Sequence, residues 1–400
     1  MNRRDFLKIS SAFVFSNFFK FPLPPIFLHS PIFKVENIPT NPFGNPQKPN
    51  RHAGVDSLIE LMGEYGLKFY DSKNFSNKTT GPYGLIDSED VVLIKVNAQW
   101  KYRGATNSDV VRGIIQAILD HPDGFRGEIV VIENGQGRGS LNCDNYAYYG
   151  DREVHANSED EKQSFLYLVD RIFTGYPVSA YLLDNVRYNF LQKDDNKTDG
   201  YIKEGIVSYP VFTTKFGNRI NLKLGVWNGN EYENRLKLIN VPVLKYHDRG
   251  GSEYTACLKH FYGVLSMADG YSGYRHYSGL GETCGYMIKN IRFPVLNILD
   301  CIWVSYSSLT GYPPSTTSRQ NILLASQDPV ALDYYAGKNI LYPLSKSPYH
   351  LPTYGGVSKW LSQAEAVINS SSVYSTENRI FLRKVTRDEA RMKIYLAKLG

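Results

Sequence analysis

The sequence predicts an α/β protein: a mostly parallel sheet with helices on both faces, plus a hairpin-like insertion. Three observations carry that class. Val91-Val92-Leu93-Ile94 and Ile129-Val130-Val131-Ile132 are short, unbroken apolar runs, the pattern of strands buried on both faces. Between them, Val110, Val111, Ile114, Ile115, Ile118 and Leu119 share one helical face. Strand, helix and strand in that order imply a parallel pair joined by a right-handed crossover. The composition agrees: 42% of the 400 residues are hydrophobic and 21% charged, so the chain can bury enough apolar surface to fold.

The elements follow in order. Val55, Leu58, Ile59, Leu61 and Met62 have helical spacing and place a first helix over 54–65. The first buried strand is 91–96, and Ser108 is positioned to cap the helix 108–120. The second strand is 129–132. Residues 134–160, rich in Gly, Asn and Tyr, read as a long loop. A helix is expected near 160–173 and a strand near 179–183. The insertion spans about 186–235, and the alternation with Gly217-Asn218 inside it marks a hairpin. A strand at 238–244, a helix at 253–265 and a Gly/Tyr-rich loop at 266–288 come next. Strands at 296–304 and 321–325 precede a helix over 330–340, opened by Asp328 as N-cap and Pro329 at the first helical position. Two amphipathic tail helices are expected near 357–368 and 386–398. The expected organisation is thus a leader over 1–30, a Pro-rich linker over 31–53, the α/β domain over 54–345 and a helical extension over 346–400.

The leader has a recognisable chemistry. Arg3-Arg4 is followed by Phe6-Leu7-Lys8 and an apolar stretch over 9–19, too short to span a bilayer, which needs about 20 apolar residues. The arginine pair and its spacing resemble a twin-arginine export signal, although Asn2 stands where Ser or Thr is usual. This implies the twin-arginine export machinery as a partner and a periplasmic or otherwise extracytoplasmic location. Cleavage is expected near residue 30, and an uncleaved signal would leave a membrane tether. Pro22, Pro24, Pro25 and Pro31 make the following segment extended.

Residues 1–30 hold Arg3, Arg4, Lys8 and Lys20 against Asp5, a net of +3, which leaves +3 of the formal +6 for the body. With no Lys/Arg-rich run there, nucleic acid is not an expected partner. Cys143, Cys257, Cys284 and Cys301 form no C-x-x-C pair, so neither a zinc ribbon nor a ferredoxin-type cluster is indicated. One or two disulfides and isolated buried thiols are both compatible with an oxidising compartment.

Several blocks together resemble the family called domain of unknown function 362. They are Ile94-Lys95-Val96-Asn97 before Thr106; the run 239–247, ending Lys245-Tyr246-His247, with 255–263 holding Leu258-Lys259-His260 and Gly263; Asn297-Ile298-Leu299-Asp300; and 323–333 around Asp328-Pro329. The resemblance covers roughly 54–345 with the blocks in the family's order. His260 stands where the family often has Asn, and the loop 134–139 replaces its usual turn. The resemblance implies fold and site positions but no reaction, since the family has no established activity. Some relatives carry an iron–sulfur domain, whose cysteines this chain lacks.

Ligands of open parallel sheets bind outside the carboxyl ends of the strands. The residues expected there are Lys95 and Asn97, Glu133 and Asn134, Asp184 and Asn185, Lys245 and His247, Asp300 and Asp328. The resemblance raises Lys95, Asn97, Lys245, His247 and Lys259 above the rest. Lysines inside apolar strand ends are costly unless they meet an anion or a carboxylate. The expectation is a pocket for a small carboxylate or phosphate. His247 acts as acid or base, assisted by Lys245, and Lys95, Asn97, Thr106, Lys259 and Asp300 bind the ligand. The amides opening the 108–120 helix would complete it. A metal held by His247, Asp300, Asp328 or Asp333 is a weaker alternative, with no spaced ligand motif behind it. Gly135-Gln136-Gly137-Arg138-Gly139 lacks dinucleotide spacing and reads as a mobile loop. Trp227, Tyr232, Tyr271, Tyr274 and Tyr277 hint at an aromatic-lined surface. The sequence names no cofactor. An exported enzyme and a non-catalytic binding or redox-accessory protein both remain open.

Overall fold

The computed structural model describes residues 23–247 and 253–400, so the arginine pair of the proposed signal lies outside the described residues. The fold is α/β, built on a ten-stranded sheet: β1 Ser30–Glu36, β2 Val91–Lys95, β3 Glu128–Glu133, β4 Val178–Leu182, β5 Leu236–Asn240, β6 Val243–Tyr246, β7 Tyr254–Thr255, β8 Leu296–Ser305, β9 Thr317–Ser326 and β10 Met392–Lys398. The order is β10-β1-β9-β8-β5-β2-β3-β4, with β6 and β7 added beside β8. From β8 to β4 every pair is parallel, and Leu93 lies between Val130 and Leu238 in register. Every residue of β2, β3 and β5 is buried, the outcome the apolar runs dictate.

Seven helices are used below: α1 Ala53–Glu64, α2 Ser108–Leu119, α3 Cys257–Phe261, α4 Ser272–His276, α5 Leu280–Tyr286, α6 Pro329–Ala336 and α7 Gly355–Ile368. The cap of α2 is Asn107, not Ser108. Asn107 is extended, and its side chain accepts from Asp109 N and Val110 N, whereas the Ser108 hydroxyl donates to Gln163 O. Asp328 caps α6 as expected, accepting from Val330 N and Ala331 N.

Four expectations need correction. The segment 31–53 is extended at its start, but as β1 of the main sheet rather than a linker. The second tail helix does not form: Met392–Lys398 is β10, parallel to β1, with Phe33 in register with Tyr395. Its alternation buries Tyr395 against Phe33 and Tyr65, ring centroids 5.4 and 3.8 Å away, and leaves Ile394 and Leu396 exposed. The insertion is larger than a hairpin, forming a six-stranded sheet between Phe190 and Glu233. The supposed loop 266–288 contains α4 and α5.

Two helices are shorter than their apolar patterns. The segment near 160–173 is a turn of α-helix, Phe165–Tyr167, running into a π-helical turn, Leu168–Ile172. In place of 253–265 the helix is α3, opened from a distance: Asp333 on α6 accepts from Cys257 N at 2.6 Å and Leu258 N at 3.0 Å. The expected strand 238–244 is broken between β5 and β6 at Pro242, which has no N–H to donate. All four cysteines are buried free thiols. Among the described residues no helix is long and apolar enough to cross a membrane.

Candidate functional site

The strand order reverses at one place. From β2 the chain adds β3 and β4 on one side, while β5 and β8 lie on the other. The crevice between β2 and β5, outside their carboxyl ends, is where open α/β sheets bind ligands. A cavity of about 470 Å3 lies at these strand ends, and Lys95, Asn97, Glu133, Lys245, His247 and Lys259 are in its wall.

Lys95 closes β2 and Glu133 closes β3, so parallel pairing brings the two together. Lys95 Nζ lies 2.5 Å from Glu133 Oε2 and donates to Val96 O at 3.0 Å, while Glu133 Oε1 accepts from Ala98 N at 3.1 Å. Burial pushes the lysine down and the carboxyl up, against their mutual attraction. The partner of Lys95 is therefore a carboxylate of the neighbouring strand. Gly263 follows α3 directly above this pair. A Cβ there would stand 2.6 Å from Lys95 Nζ, so any larger residue would require the lysine or the turn to shift.

Lys245 on β6 is 2% exposed and donates to Gly104 O at 2.6 Å and Asn97 Oδ1 at 3.4 Å, both neutral oxygens. Burial first, and the neighbouring Lys95 charge, pull its amine down to about 7, against the attraction of Glu133. His247, two residues on, reaches the same cavity. Burial, together with the charges of Lys259, His276, Lys245 and Arg138, holds it well below the usual histidine range. The expected roles therefore shift: His247 is neutral around pH 7, and Lys245 is the group that titrates there.

Other candidates are spread more widely. Lys259 on α3 lines the cavity, and next to it His260 Nδ1 lies 2.7 Å from Asn240 Oδ1. Asn240 Nδ2 donates to Cys257 O and Asn297 Oδ1, which orients its oxygen towards His260 and assigns the proton to Nδ1. Thr106 and Asp300 are not in the cavity wall. The Thr106 hydroxyl accepts from Asn97 N at 2.8 Å and donates to Val241 O at 2.7 Å, tying the exit of β2 to that of β5. Asp300 accepts from Asn107 N at 2.8 Å and Ile302 N at 2.9 Å, and burial pushes its carboxyl up to about 7. The α2 amides are taken by Asn107, so they do not complete the pocket.

Asp184 accepts from Gly135 N and Gly137 N, both at 2.6 Å, and so clasps the glycine loop. Asp328 and Asp333 cap α6 and α3, and Asp300 bonds two backbone amides, so the metal alternative finds its carboxylates otherwise engaged. Among the described residues no three His, Cys, Asp or Glu side chains are grouped to hold a metal ion. Arg138, His276, Trp100 and Tyr149 were not singled out from sequence, yet all line the cavity. Trp100 and Arg138 lie in loops after strand ends, while Tyr149 and His276 end short helical turns within Gly/Tyr-rich segments that carry no helical apolar pattern. Of the aromatic residues that were singled out, Tyr277 lines it, while Trp227 and Tyr232 pair with each other in the second sheet.

Residues 225–338 match the family described as domain of unknown function (DUF362), which supports membership of that family. The matched segment includes Lys245, His247, Lys259 and Asp300, whereas Lys95, Asn97 and Glu133 come from outside it. No curated protein and no solved structure matches the chain.

Proposed function

We propose that this DUF362-type chain is an exported protein that binds a small anionic ligand, a carboxylate or a phosphate, at the carboxyl ends of β2, β3 and β6. One observation carries the reading: Lys95, Lys245, Lys259 and Arg138 line one cavity in which, among the described residues, Glu133 is the sole carboxylate, and it is already paired with Lys95. A site so charged gains by taking up an anion, and the surrounding low dielectric strengthens each contact. The cavity volume suits a small molecule. Transformation of the ligand is part of the proposal: Lys245 carries the titrating proton and His247 stands beside it as a neutral acceptor.

Two experiments test it. Thermal shift of the purified chain against oxalate, malonate, inorganic phosphate and sulfate should give saturable stabilisation by at least one of them. Lys245→Ala and Lys259→Ala should each abolish it, and unchanged stabilisation in both would place the site elsewhere. For export, replacing Arg3 and Arg4 together by Lys should retain the protein in the cytoplasmic fraction. Continued export of that variant would refute the twin-arginine route.

A further inference from the structure

Buried lysines in this protein are normally matched to carboxylates. Lys95 meets Glu133, Lys101 meets Asp151 and Lys237 meets Asp90. Lys245 differs: at 2% exposure it bonds only to Gly104 O and Asn97 Oδ1 among the described residues, and Glu133, whose charge it feels, is already paired with Lys95. An ammonium desolvated without a counter-ion is costly, which lowers the pH at which the free amine, whose nitrogen carries a lone pair, becomes populated. A lysine buried near another cation, at the wall of a cavity, has the environment that activates amines towards carbonyl groups. The same cavity wall holds Lys259 and Arg138, whose positive charges favour a carboxylate there, and His247, which can pass a proton.

We propose that Lys245 is a nucleophile that forms a Schiff base with a 2-oxo acid whose carboxylate is held by Lys259 and Arg138. This rests on the anion-binding reading above and narrows it to one substrate class. The Nζ lone pair forms a bond to the carbonyl carbon while the C=O π pair moves to oxygen, and a proton passes from nitrogen to that oxygen, by way of His247, to give a carbinolamine. The nitrogen then gives up its second proton and the C–O bond breaks. One water leaves and a C=N bond remains, so amine plus ketone equals imine plus water. No oxidant or reductant is needed. Because the amine is pulled down to about 7, the nucleophilic form predominates above that pH.

The test is reductive trapping on the full chain. Pyruvate, 2-oxobutyrate or 2-oxoglutarate is added with sodium cyanoborohydride, and peptide mapping by mass spectrometry locates the adduct. The expected result is a single modification at Lys245, several-fold greater at about pH 8 than at about pH 6 and absent in Lys245→Met. Mapping the wild-type protein keeps the test valid if that variant does not fold. An adduct at Lys259, or one spread evenly over surface lysines, overturns the proposal. Stabilisation by lactate and pyruvate alike with no adduct overturns it while leaving anion binding intact. Failure of both acids and of the oxalate and phosphate panel to stabilise the chain overturns both.

Discussion

Lys95 Nζ and Glu133 Oε2 lie 2.5 Å apart at the carboxyl ends of adjacent parallel strands, each side chain at most 2% exposed. Both groups are almost entirely withdrawn from the surface, so the pair stands or falls as a unit. Removing one partner, as in Lys95→Met, strands the other and should destabilise the protein by about 3–5 kcal/mol. Urea denaturation of Lys95→Met, Glu133→Leu and the double variant checks this. The double variant should recover most of the loss, and strictly additive losses would show that the pair is uncoupled.

Gly263 packs closely against the same pair. The methyl group of Gly263→Ala would sit 2.6 Å from Lys95 Nζ, so the lysine or the turn after α3 must move. Overpacking of this kind costs about 1–3 kcal/mol. A denaturation midpoint equal to that of the wild type would mean that the turn yields freely.

Thr106 is a strut rather than a ligand. Thr106→Val removes a donor from Val241 O and an acceptor from Asn97 N, leaving two buried backbone groups without these partners at about 1–3 kcal/mol each. Thr106→Ser keeps the hydroxyl and should restore most of the stability. Equal melting temperatures for the Val and Ser variants would count against this role.

The titration of Lys245 sets a pH dependence for anion binding. Its amine goes from protonated to neutral as the pH rises through about 7, so affinity for oxalate should fall across that range. Isothermal titration at about pH 6 and about pH 8.5 measures the change, and Lys245→Met should flatten it. Stability follows the opposite slope. The unfolded lysine keeps its proton up to 10.5, so between about 7 and 10.5 the unfolded state binds more protons, and this residue's contribution to stability rises with pH. The stability gained by Lys245→Met should accordingly be larger at pH 6 than at pH 10.

Which parts of the fold were legible followed from the range of the forces involved. The strands near 91–96 and 129–132, the helix between them and the Asp328-Pro329 start of α6 rest on local patterns, and all are present, with the helix cap one residue earlier at Asn107. β10 was not legible in this way, because Tyr395 chooses its conformation by stacking on Phe33 and Tyr65, more than three hundred residues away in sequence. α3 begins where Asp333 caps it, and no local cap announces that start.

The sequence by itself determined the class of the fold and placed Lys95, Asn97, Glu133, Lys245, His247 and Lys259 at strand ends or in the blocks beside them. Tertiary structure decided what each one does. It paired Lys95 with Glu133 across adjacent strands, withdrew Thr106 and Asp300 from the cavity into the supporting structure, and brought in Arg138 from the glycine loop and His276 from α4. It also left Lys245 bonded, among the described residues, only to neutral oxygens. Side-chain periodicity is a local property and can be read along the chain. Charge state depends on burial and on neighbours contributed by distant strands, so it exists only once the sheet has assembled.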